Sequence, residues 1–373
     1  MRHSPADAKL ARIRREGLYR RLTPGIIRGA YIVVRNRKLL NLCSNDYLGL
    51  ASRGPVPGQP QASSRLVSGS DPAHTTLEKA LARHAGTGAA LLYPTGYMAN
   101  LGAIQALVRK GDRIFSDELN HASIIDACAL SGGRVSVYAH NDMDELRRML
   151  KRCRGRAHVI TEGVFSMDGD MAKLIEITEL ARGRASVILD DAHGDFVCGR
   201  SGRGTAELLG VRGKVDVYTS SLSKGLGSFG GYMAAGRDDV KLCINGSRAF
   251  IYTSALPAHI ARDALRRISA DAEPRRRKLA ENARRLSEGL LDAGFRAGSD
   301  SHIIPVHVGG ERAAVELGRQ LAREGVFAQP VRYPSVPRGK ARIRISATAR
   351  LTKGHVEGAL EAFGRAGRRL GLV

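Results

Sequence analysis

Short apolar runs alternate with longer amphipathic stretches through the middle of the chain. Apolar runs of this length are typical of buried strands, and the stretches between them have helical periodicity. They predict strands over 89–93, 113–116, 135–138, 157–161 and 186–190, and helices over 97–109, 121–130, 142–152 and 172–182. Strands that alternate with helices form βαβ units, so the pattern predicts an α/β fold with a mainly parallel sheet covered by helices on both faces.

Both ends of the chain have different patterns. The first 25 residues predict a basic amphipathic helix, and residues 31–34 and 38–42 predict a hairpin that turns at Asn36. Residues 52–61 are rich in Gly, Pro and Gln and predict an irregular loop, and a capping box from Thr75 to Glu78 predicts the start of a helix.

After about residue 246 the regular alternation stops. The pattern predicts a long basic helical region over 256–294, strands over 302–308 and 342–346, a helix over 311–324 and a final helix from 352. We therefore expect an N-terminal arm and hairpin (1–45), a large domain (46–245) and a smaller α+β domain (246–373).

The amino-acid composition limits the classes of function that the protein can have. The 373 residues contain 59 Lys and Arg against 36 Asp and Glu, a net charge of +23, which suits anionic substrates or nucleic acid. Aromatic residues make up 5% and Trp is absent, so there is little surface for base stacking. We favour a basic surface that serves small anionic metabolites, with a basic nucleic-acid-binding protein as the alternative.

Cysteine spacing and apolar runs indicate the compartment. The five cysteines are widely spaced without a pairing pattern, as is typical of free thiols in a reducing compartment. The N-terminus lacks the apolar segment of a signal peptide, and no apolar run is long enough to span a bilayer. These features predict a cytoplasmic protein without a membrane partner, and we expect no metal site.

Candidate chemistry centres on Lys224, which follows a strand-like run and precedes two glycines. A lone Lys-Gly pair is most often a solvated loop, but Asp190 and His193 follow one predicted strand and His121 follows another. Ligands of parallel α/β sheets bind at the carboxyl ends of the strands. A lysine for a Schiff base and a carboxylate for a pyridinium nitrogen are the groups that hold pyridoxal 5′-phosphate (PLP), so we predict a PLP site.

Six ordered motifs resemble the α-oxoamine synthases, a family of PLP enzymes, over nearly the whole chain. They are SNDYLGL (44–50), RLVSG (65–69) with His74, NHAS (120–123), TEGVFSMDGD (161–170), DDAHG (190–194) and SKGLG (223–227). The resemblance implies the aspartate-aminotransferase fold (fold type I), with a seven-stranded sheet and a smaller C-terminal domain. It also implies a homodimer, because two subunits of this fold usually share each site.

Within this family the residues of the motifs are most similar to those of the 8-amino-7-oxononanoate synthases. That branch condenses L-alanine with a pimeloyl thioester of CoA or an acyl carrier protein in biotin biosynthesis. Glycine C-acetyltransferase is the near alternative, and the serine palmitoyltransferases and 5-aminolevulinate synthases look more distant. An aminotransferase-like protein without catalysis is a further alternative.

The resemblance implies a role for each candidate residue. Catalysis is expected from Lys224, His121 and Asp190, with Lys224 bonding the cofactor, Asp190 pairing with its ring nitrogen and His121 stacking on its ring. The cofactor's ring hydroxyl and phosphate are expected to contact His193, Ser166, Gly96, Tyr97 and Ser221. The amino acid carboxylate is expected at Asn45 and Arg344, with His121 orienting the substrate, and the acyl substrate at Arg20 and Ser335.

Two stretches depart from the family's pattern. Residues 52–64 are shorter than the helix and Gly-rich loop expected there, which bears on the acyl site and the dimer contact. The usual Thr-Gly after the DDAHG motif is replaced by Asp195 and Phe196.

Overall fold

The computed structural model describes residues 11–20, 23–51 and 62–373. Strands in these ranges number fourteen. They are β1 (Ile26–Arg28), β2 (Tyr31–Val34), β3 (Arg37–Asn41), β4 (Ala89–Tyr93), β5 (Arg113–Asp117), β6 (Arg134–Tyr138), β7 (Ala157–Glu162), β8 (Ser186–Asp190), β9 (Val217–Ser221), β10 (Gly231–Ala235), β11 (Ile303–Gly309), β12 (Val326–Phe327), β13 (Pro330–Val331) and β14 (Ala341–Ser346).

Helices follow most of these strands. A helical turn over residues 11–15 comes first. The helices that follow it are α1 (Pro72–Ala85), α2 (Gly96–Leu107), α3 (Ala122–Ser131), α4 (Met143–Arg152), α5 (Leu174–Ala181), α6 (Thr205–Leu208), α7 (Arg237–Gly246), α8 (Arg248–Ile251), α9 (Ala258–Ile268), α10 (Glu273–Asp292), α11 (Glu311–Arg323) and α12 (Lys353–Leu370). In the described residues, no helix combines the length and apolar character needed to cross a membrane.

The chain divides into two compact units. The larger contains residues 48–166 and 170–276, and the smaller contains the described residues up to Tyr47 together with 167–169 and 277–373. Helices α7 to α9 belong to the larger unit, because α7 and α8 pack against α2 and α9 packs against α1. The sequence pattern instead places everything after 246 in a small domain.

The larger unit is built on a seven-stranded sheet in the order β4-β10-β9-β8-β7-β5-β6. Strand β10 runs antiparallel to both neighbours, while β9, β8, β7, β5 and β6 pair in parallel. Side chains of alternate residues on a strand face opposite ways, and each face has its own apolar core: Val187 and Leu189 belong to one and Ile188 to the other. The predicted mainly parallel α/β sheet is confirmed.

The smaller unit contains two small sheets. One has the order β1-β2-β3-β12 and the other β11-β14-β13, and α11 packs against β11 and β14. The predicted hairpin is confirmed, and its turn places Arg35 and Asn36 at φ 48° and 62°. Asn favours this left-handed conformation more than most residues, which suits a tight turn.

Three local predictions need correction. Helix α1 begins earlier than the Thr75–Glu78 capping box: Asp71 is its N-cap and His74 completes the box. Glu78 is used elsewhere, since its carboxylate accepts hydrogen bonds from Arg65 and from the Leu92 amide.

The N-terminal helix ends before residue 25, because the described part leaves the helical conformation at Gly17 (φ 70°). The basic region over 256–294 is two helices, α9 and α10, separated by residues 269–272. Most of the predicted 52–61 loop and the beginning of the N-terminal helix (1–10) lie outside the described residues.

Candidate active site

Lys224 lies in the loop that joins β9 to the antiparallel strand β10. The Leu222 amide donates to the Gly230 carbonyl (2.9 Å), which closes the loop. Gly227 has φ 65°, a conformation that glycine adopts without steric cost. The Lys224 side chain is half-buried, and its Nζ lies 3.0 Å from Nε2 of His193. The sheet thus brings the predicted lysine and histidine into direct contact.

Asp190 is the last residue of β8 and is buried. Its Oδ1 accepts a hydrogen bond from the Ala192 amide (3.0 Å), and its Oδ2 accepts one from Nδ2 of Asn100 (2.6 Å). Asn100 also accepts a hydrogen bond from the Thr219 hydroxyl (2.5 Å) and donates to the Ser123 hydroxyl (2.8 Å). These contacts hold the carboxylate in one orientation at the carboxyl edge of the sheet.

His121 is the N-cap of α3, and its Nδ1 accepts a hydrogen bond from the Ser123 amide (3.2 Å). The surrounding protein lowers the pKa of His121, because it replaces water around the cationic ring; Asp190 opposes this effect and Lys224 adds to it. The Tyr97 ring meets His121 edge-on at 6.4 Å between centroids. A neutral ring beside Asp190 and Lys224 suits the predicted role of stacking on a flat aromatic ligand.

Glu162 is a buried carboxyl that the sequence reasoning left without a role. It ends β7 and is the ladder partner of Asp190 on β8. Its carboxylate accepts the backbone amides of His121 and Ser166, and its Oε1 has no hydrogen-bond partner among the described residues. Burial raises the pKa of Glu162 well above its usual value; Asp190 adds to this and Lys224 opposes it.

The N-terminus of α2 lies beside the end of β9. A Cβ atom on Gly96 would lie 3.0 Å from Cβ of Ser221, and one on Gly231 would lie 2.4 Å from the Gly96 amide nitrogen. The N-cap residue Thr95 uses its hydroxyl to accept the Met98 amide (3.2 Å). An N-terminus cleared of side chains in this way suits an anion such as a phosphate.

The residues of the larger unit fit PLP. A half-buried lysine, a buried carboxylate at a strand end, an imidazole and a glycine-lined helix N-terminus are the groups that its aldehyde, ring nitrogen, ring face and phosphate require. Ser166 is buried, and its amide is held by Glu162. Each of the eight cofactor residues predicted from the sequence lies in this unit (Gly96, Tyr97, His121, Ser166, Asp190, His193, Ser221, Lys224).

The smaller unit brings together the two residues predicted to hold a carboxylate. Arg344, on β14, donates from Nη1 to Oδ1 of Asn45 (3.2 Å) and to the Ser346 hydroxyl (2.8 Å). The Tyr47 hydroxyl also donates to Oδ1 of Asn45 (3.1 Å). These contacts orient the guanidinium on β14, and a guanidinium so oriented can bind a carboxylate through two parallel hydrogen bonds.

The predicted acyl-substrate residues also lie close together in the smaller unit. Nη2 of Arg20 is 3.5 Å from the Ser335 hydroxyl and 3.4 Å from the Tyr333 carbonyl oxygen. Arg20 is exposed, and its charge contributes to lowering the pKa of Arg332 after the effect of burial.

The aminotransferase class I and II family matches residues 37–363. The chain belongs to this family. Among its relatives is the 8-amino-7-oxononanoate synthase of Geobacter sulfurreducens, 42% identical over 384 residues that cover 98% of each chain. The 8-amino-7-oxononanoate synthase of Thermoanaerobacter pseudethanolicus is 40% identical over 386 residues, which cover 98% of this chain and 97% of the relative.

A solved structure has the same fold. The serine palmitoyltransferase of S. paucimobilis, determined with a bound PLP–myriocin aldimine, superposes with a TM-score of 0.92 at 29% identity. The match covers 98% of this chain and 97% of that one. The predicted aminotransferase-like fold, with a seven-stranded sheet and a smaller C-terminal part, is therefore confirmed.

Asn100, which orients Asp190, and Glu162, which pairs with it in the sheet, are functional residues that the sequence pattern does not predict. Asn100 could have been noticed, because it is an amide side chain in the middle of a mostly apolar helix, where a buried polar group needs a partner. Glu162 lies within the TEGVFSMDGD motif (161–170), but nothing in the local sequence indicates a role for it. Its importance comes from the pairing of β7 with β8, which joins residues distant in the chain.

Proposed function

We propose that this protein condenses L-alanine with a pimeloyl thioester of CoA or an acyl carrier protein. The products are 8-amino-7-oxononanoate, the free carrier thiol and CO₂, and the reaction belongs to biotin biosynthesis. The observation that carries the proposal is the Lys224, His193 and Asp190 cluster in a chain about 40% identical, end to end, to 8-amino-7-oxononanoate synthases. The enzyme is an acyltransferase, and PLP is its cofactor.

PLP, when bound, withdraws electrons from the substrate carbon that loses its proton. Lys224 would bond its aldehyde, and Asp190 would keep a proton on its ring nitrogen. His121 would cover the ring, while His193 and Ser166 would contact the ring hydroxyl.

The phosphate would be held at the N-terminus of α2. Backbone amides of Gly96 and Tyr97 and the Ser221 hydroxyl provide its hydrogen-bond donors. Glycines at positions 96 and 231 keep this region free of side chains, which supports the assignment.

Lys224 would act as base and acid. Its amine, set free when the amino group of alanine replaces it on the aldehyde, would take the α-proton of alanine, so that this carbon can bond to the thioester carbonyl carbon while the carrier thiolate leaves. The condensation product loses its carboxyl group as CO₂, and Lys224 returns a proton to the same carbon. The 3.0 Å contact with His193 supports a lysine held in a defined position for both transfers.

Arg344 and Asn45 would hold the carboxylate of alanine. A guanidinium can bind a carboxylate through two parallel hydrogen bonds, which also fixes the direction of the amino acid. Arg20 and Ser335 would contact the acyl substrate, and their proximity supports a shared role.

We further propose that the protein acts as a homodimer in the cytoplasm. Five free cysteines support a reducing compartment. A shared site between two subunits is the family's usual arrangement, and the two-fold dimer is the commonest closed assembly.

The deciding experiment measures carrier-thiol release from PLP-loaded protein. Alanine, glycine and serine are each paired with pimeloyl-CoA, acetyl-CoA and palmitoyl-CoA, and we expect the highest kcat/KM for alanine with pimeloyl-CoA. Lys224→Ala should lower kcat by about 10³-fold or more, because it removes both the cofactor bond and the base. Lys241→Ala is the matched control, since Lys241 is an exposed lysine paired with Asp238.

Two results would contradict the proposal. Turnover restricted to glycine with acetyl-CoA would assign the glycine C-acetyltransferase reaction instead. Full activity of Lys224→Ala would refute the assignment of the base under any substrate pair.

A further inference from the structure

Asp195 is a buried carboxylate with three hydrogen-bond donors. Its Oδ1 faces Nε2 of His84 (2.8 Å) and accepts the Phe196 amide (3.1 Å), and its Oδ2 accepts the Tyr232 hydroxyl (2.7 Å). His84 belongs to α1 and Tyr232 to β10, so one side chain ties a helix and a strand to the loop after His193. Several donors fix the direction of a buried carboxylate, and the loss of one of them leaves a costly unsatisfied group.

Phe196 takes a conformation that a phenylalanine rarely adopts. Its φ is 64°, in the left-handed region, which costs about 1–2 kcal/mol for a residue with a side chain. Its ring stacks on His84, with centroids 4.5 Å apart and an angle of 16° between the planes. Because His84 contacts both Asp195 and Phe196, it holds this strained turn from two sides.

The turn borders the catalytic pair on both sides. His193 stands two residues before Asp195, and the Asp195 amide donates to the Asp191 carbonyl (2.7 Å) within the same turn. On the other side, a Cβ atom on Gly225 would lie 2.6 Å from the Asp195 carbonyl oxygen. The backbone that follows Lys224 therefore rests directly on the Asp195 backbone.

We propose that Asp195, held by His84 and Tyr232, is a positioning residue that sets the approach of His193 to Lys224. Loss of its contacts lets the turn relax, and the turn carries His193 on one side and supports Gly225 on the other. The proposal rests on the proposed role of Lys224.

The test compares four variants of the PLP-loaded protein. Asp195→Asn replaces the carboxylate by an amide, His84→Leu removes its imidazole partner, and His84→Gln keeps an N–H donor near the position of Nε2. Asp112→Asn is the matched control: Asp112 also faces a buried histidine, His158 (3.2 Å), but it precedes β5 at the opposite end of the sheet. The readouts are kcat, KM for alanine, the pH midpoint of the visible absorption band and the thermal midpoint of the cofactor-free protein.

We expect Asp195→Asn and His84→Leu to lower kcat about 10-fold or more with a smaller change in KM, because a shift on the order of 1 Å in a catalytic group can cost about 100-fold. Both should move the pH midpoint of the visible band, and His84→Gln should restore most of kcat. Asp112→Asn should lower the thermal midpoint alone.

The inference is overturned if Asp195→Asn and His84→Leu change only the thermal midpoint, as the control does. Should Asp195→Asn fail to fold, His84→Leu decides alone. Failure of the proposed function gives a different result, because the wild-type protein would then show no PLP absorption band. If the proposed function holds, the wild-type protein shows this band and Lys224→Ala abolishes it.

Discussion

His140 provides a quantitative test of the electrostatics near the candidate site. Its Nδ1 lies 2.9 Å from Oδ1 of Asp117 and its Nε2 lies 2.6 Å from Oδ2 of Asp170. Phe165 meets the ring edge-on at 4.4 Å. Burial lowers the pKa of His140, but hydrogen bonds to the two carboxylates outweigh it and raise the pKa to about 10. The ring is therefore a cation that ties Asp117, at the end of β5, to Asp170.

The pKa shift sets an upper limit on what this cation contributes to stability. A rise from 6.5 to about 10 corresponds to at most about 5 kcal/mol, at about 1.4 kcal/mol per pH unit. The side chain of His140 is 19% exposed and that of Asp170 is 30% exposed, so water screens part of the attraction. We expect about 2–3 kcal/mol from the charge.

His140→Gln removes this charge. Because the folded state raises the pKa, the charge stabilises fully below the unfolded pKa near 6.5, and its contribution falls above that pH and disappears near pH 10. Urea denaturation is followed by circular dichroism because the chain has no Trp. The free energy of unfolding of the wild type should exceed that of His140→Gln by about 2–3 kcal/mol at pH 6, and this gap should close by pH 10. A gap that stays constant or widens with pH would refute the reasoning.

His158→Gln is the control with the opposite sign. Burial lowers the pKa of His158, although the hydrogen bond to Asp112 opposes this. A lowered pKa means that the wild type loses stability as the pH falls through 6.5, since the unfolded state binds the proton more readily. The gap between wild type and His158→Gln should therefore widen with rising pH, where that of His140→Gln narrows.

Two further results are expected. Gly231→Ala should weaken PLP binding about 10-fold or more in an absorbance titration, because its Cβ would lie 2.4 Å from the Gly96 amide nitrogen, while Gly246→Ala, whose Cβ has only Ala106 at 3.9 Å, should bind normally. Light scattering should give twice the 40.1 kDa chain mass, and a fully active monomer would contradict the shared-site dimer.

The regular part of the fold could be predicted because its pattern is local. Apolar runs and helical periodicity predict strands β5 and β8 and the helices between them, because these patterns depend only on residues that are close in the chain. Strand β10 was not predicted: its sequence, GYMAA, contains no β-branched residue, and it forms because it pairs with β4 and β9. The cap of α1 was misplaced for a similar reason, as Glu78 is engaged by Arg65.

The sequence predicts which residues form the candidate site, but it predicts only some of the contacts between them. Lys224, Asp190 and His193 stand at strand ends, where parallel sheets place ligands, so their meeting follows from topology. Asn100 and His84 act through contacts with residues 90 or more positions away, as in the Asn100–Asp190 and His84–Asp195 pairs. Such contacts are set by packing and strand order, which no local pattern contains.

The order of the sheet also explains how one carboxyl at the site can differ from another. Glu162 and Asp190 are ladder partners on β7 and β8, so two acidic side chains end side by side next to Lys224. Two adjacent negative charges would repel each other in a site shielded from water. Burial and then Asp190 raise the pKa of Glu162, while Lys224 and the amides of His121 and Ser166 oppose this rise. Asn100 donates to Asp190, whereas Glu162 accepts the backbone amides of His121 and Ser166, so the two neighbouring carboxyls are held by different partners and orient different parts of the site.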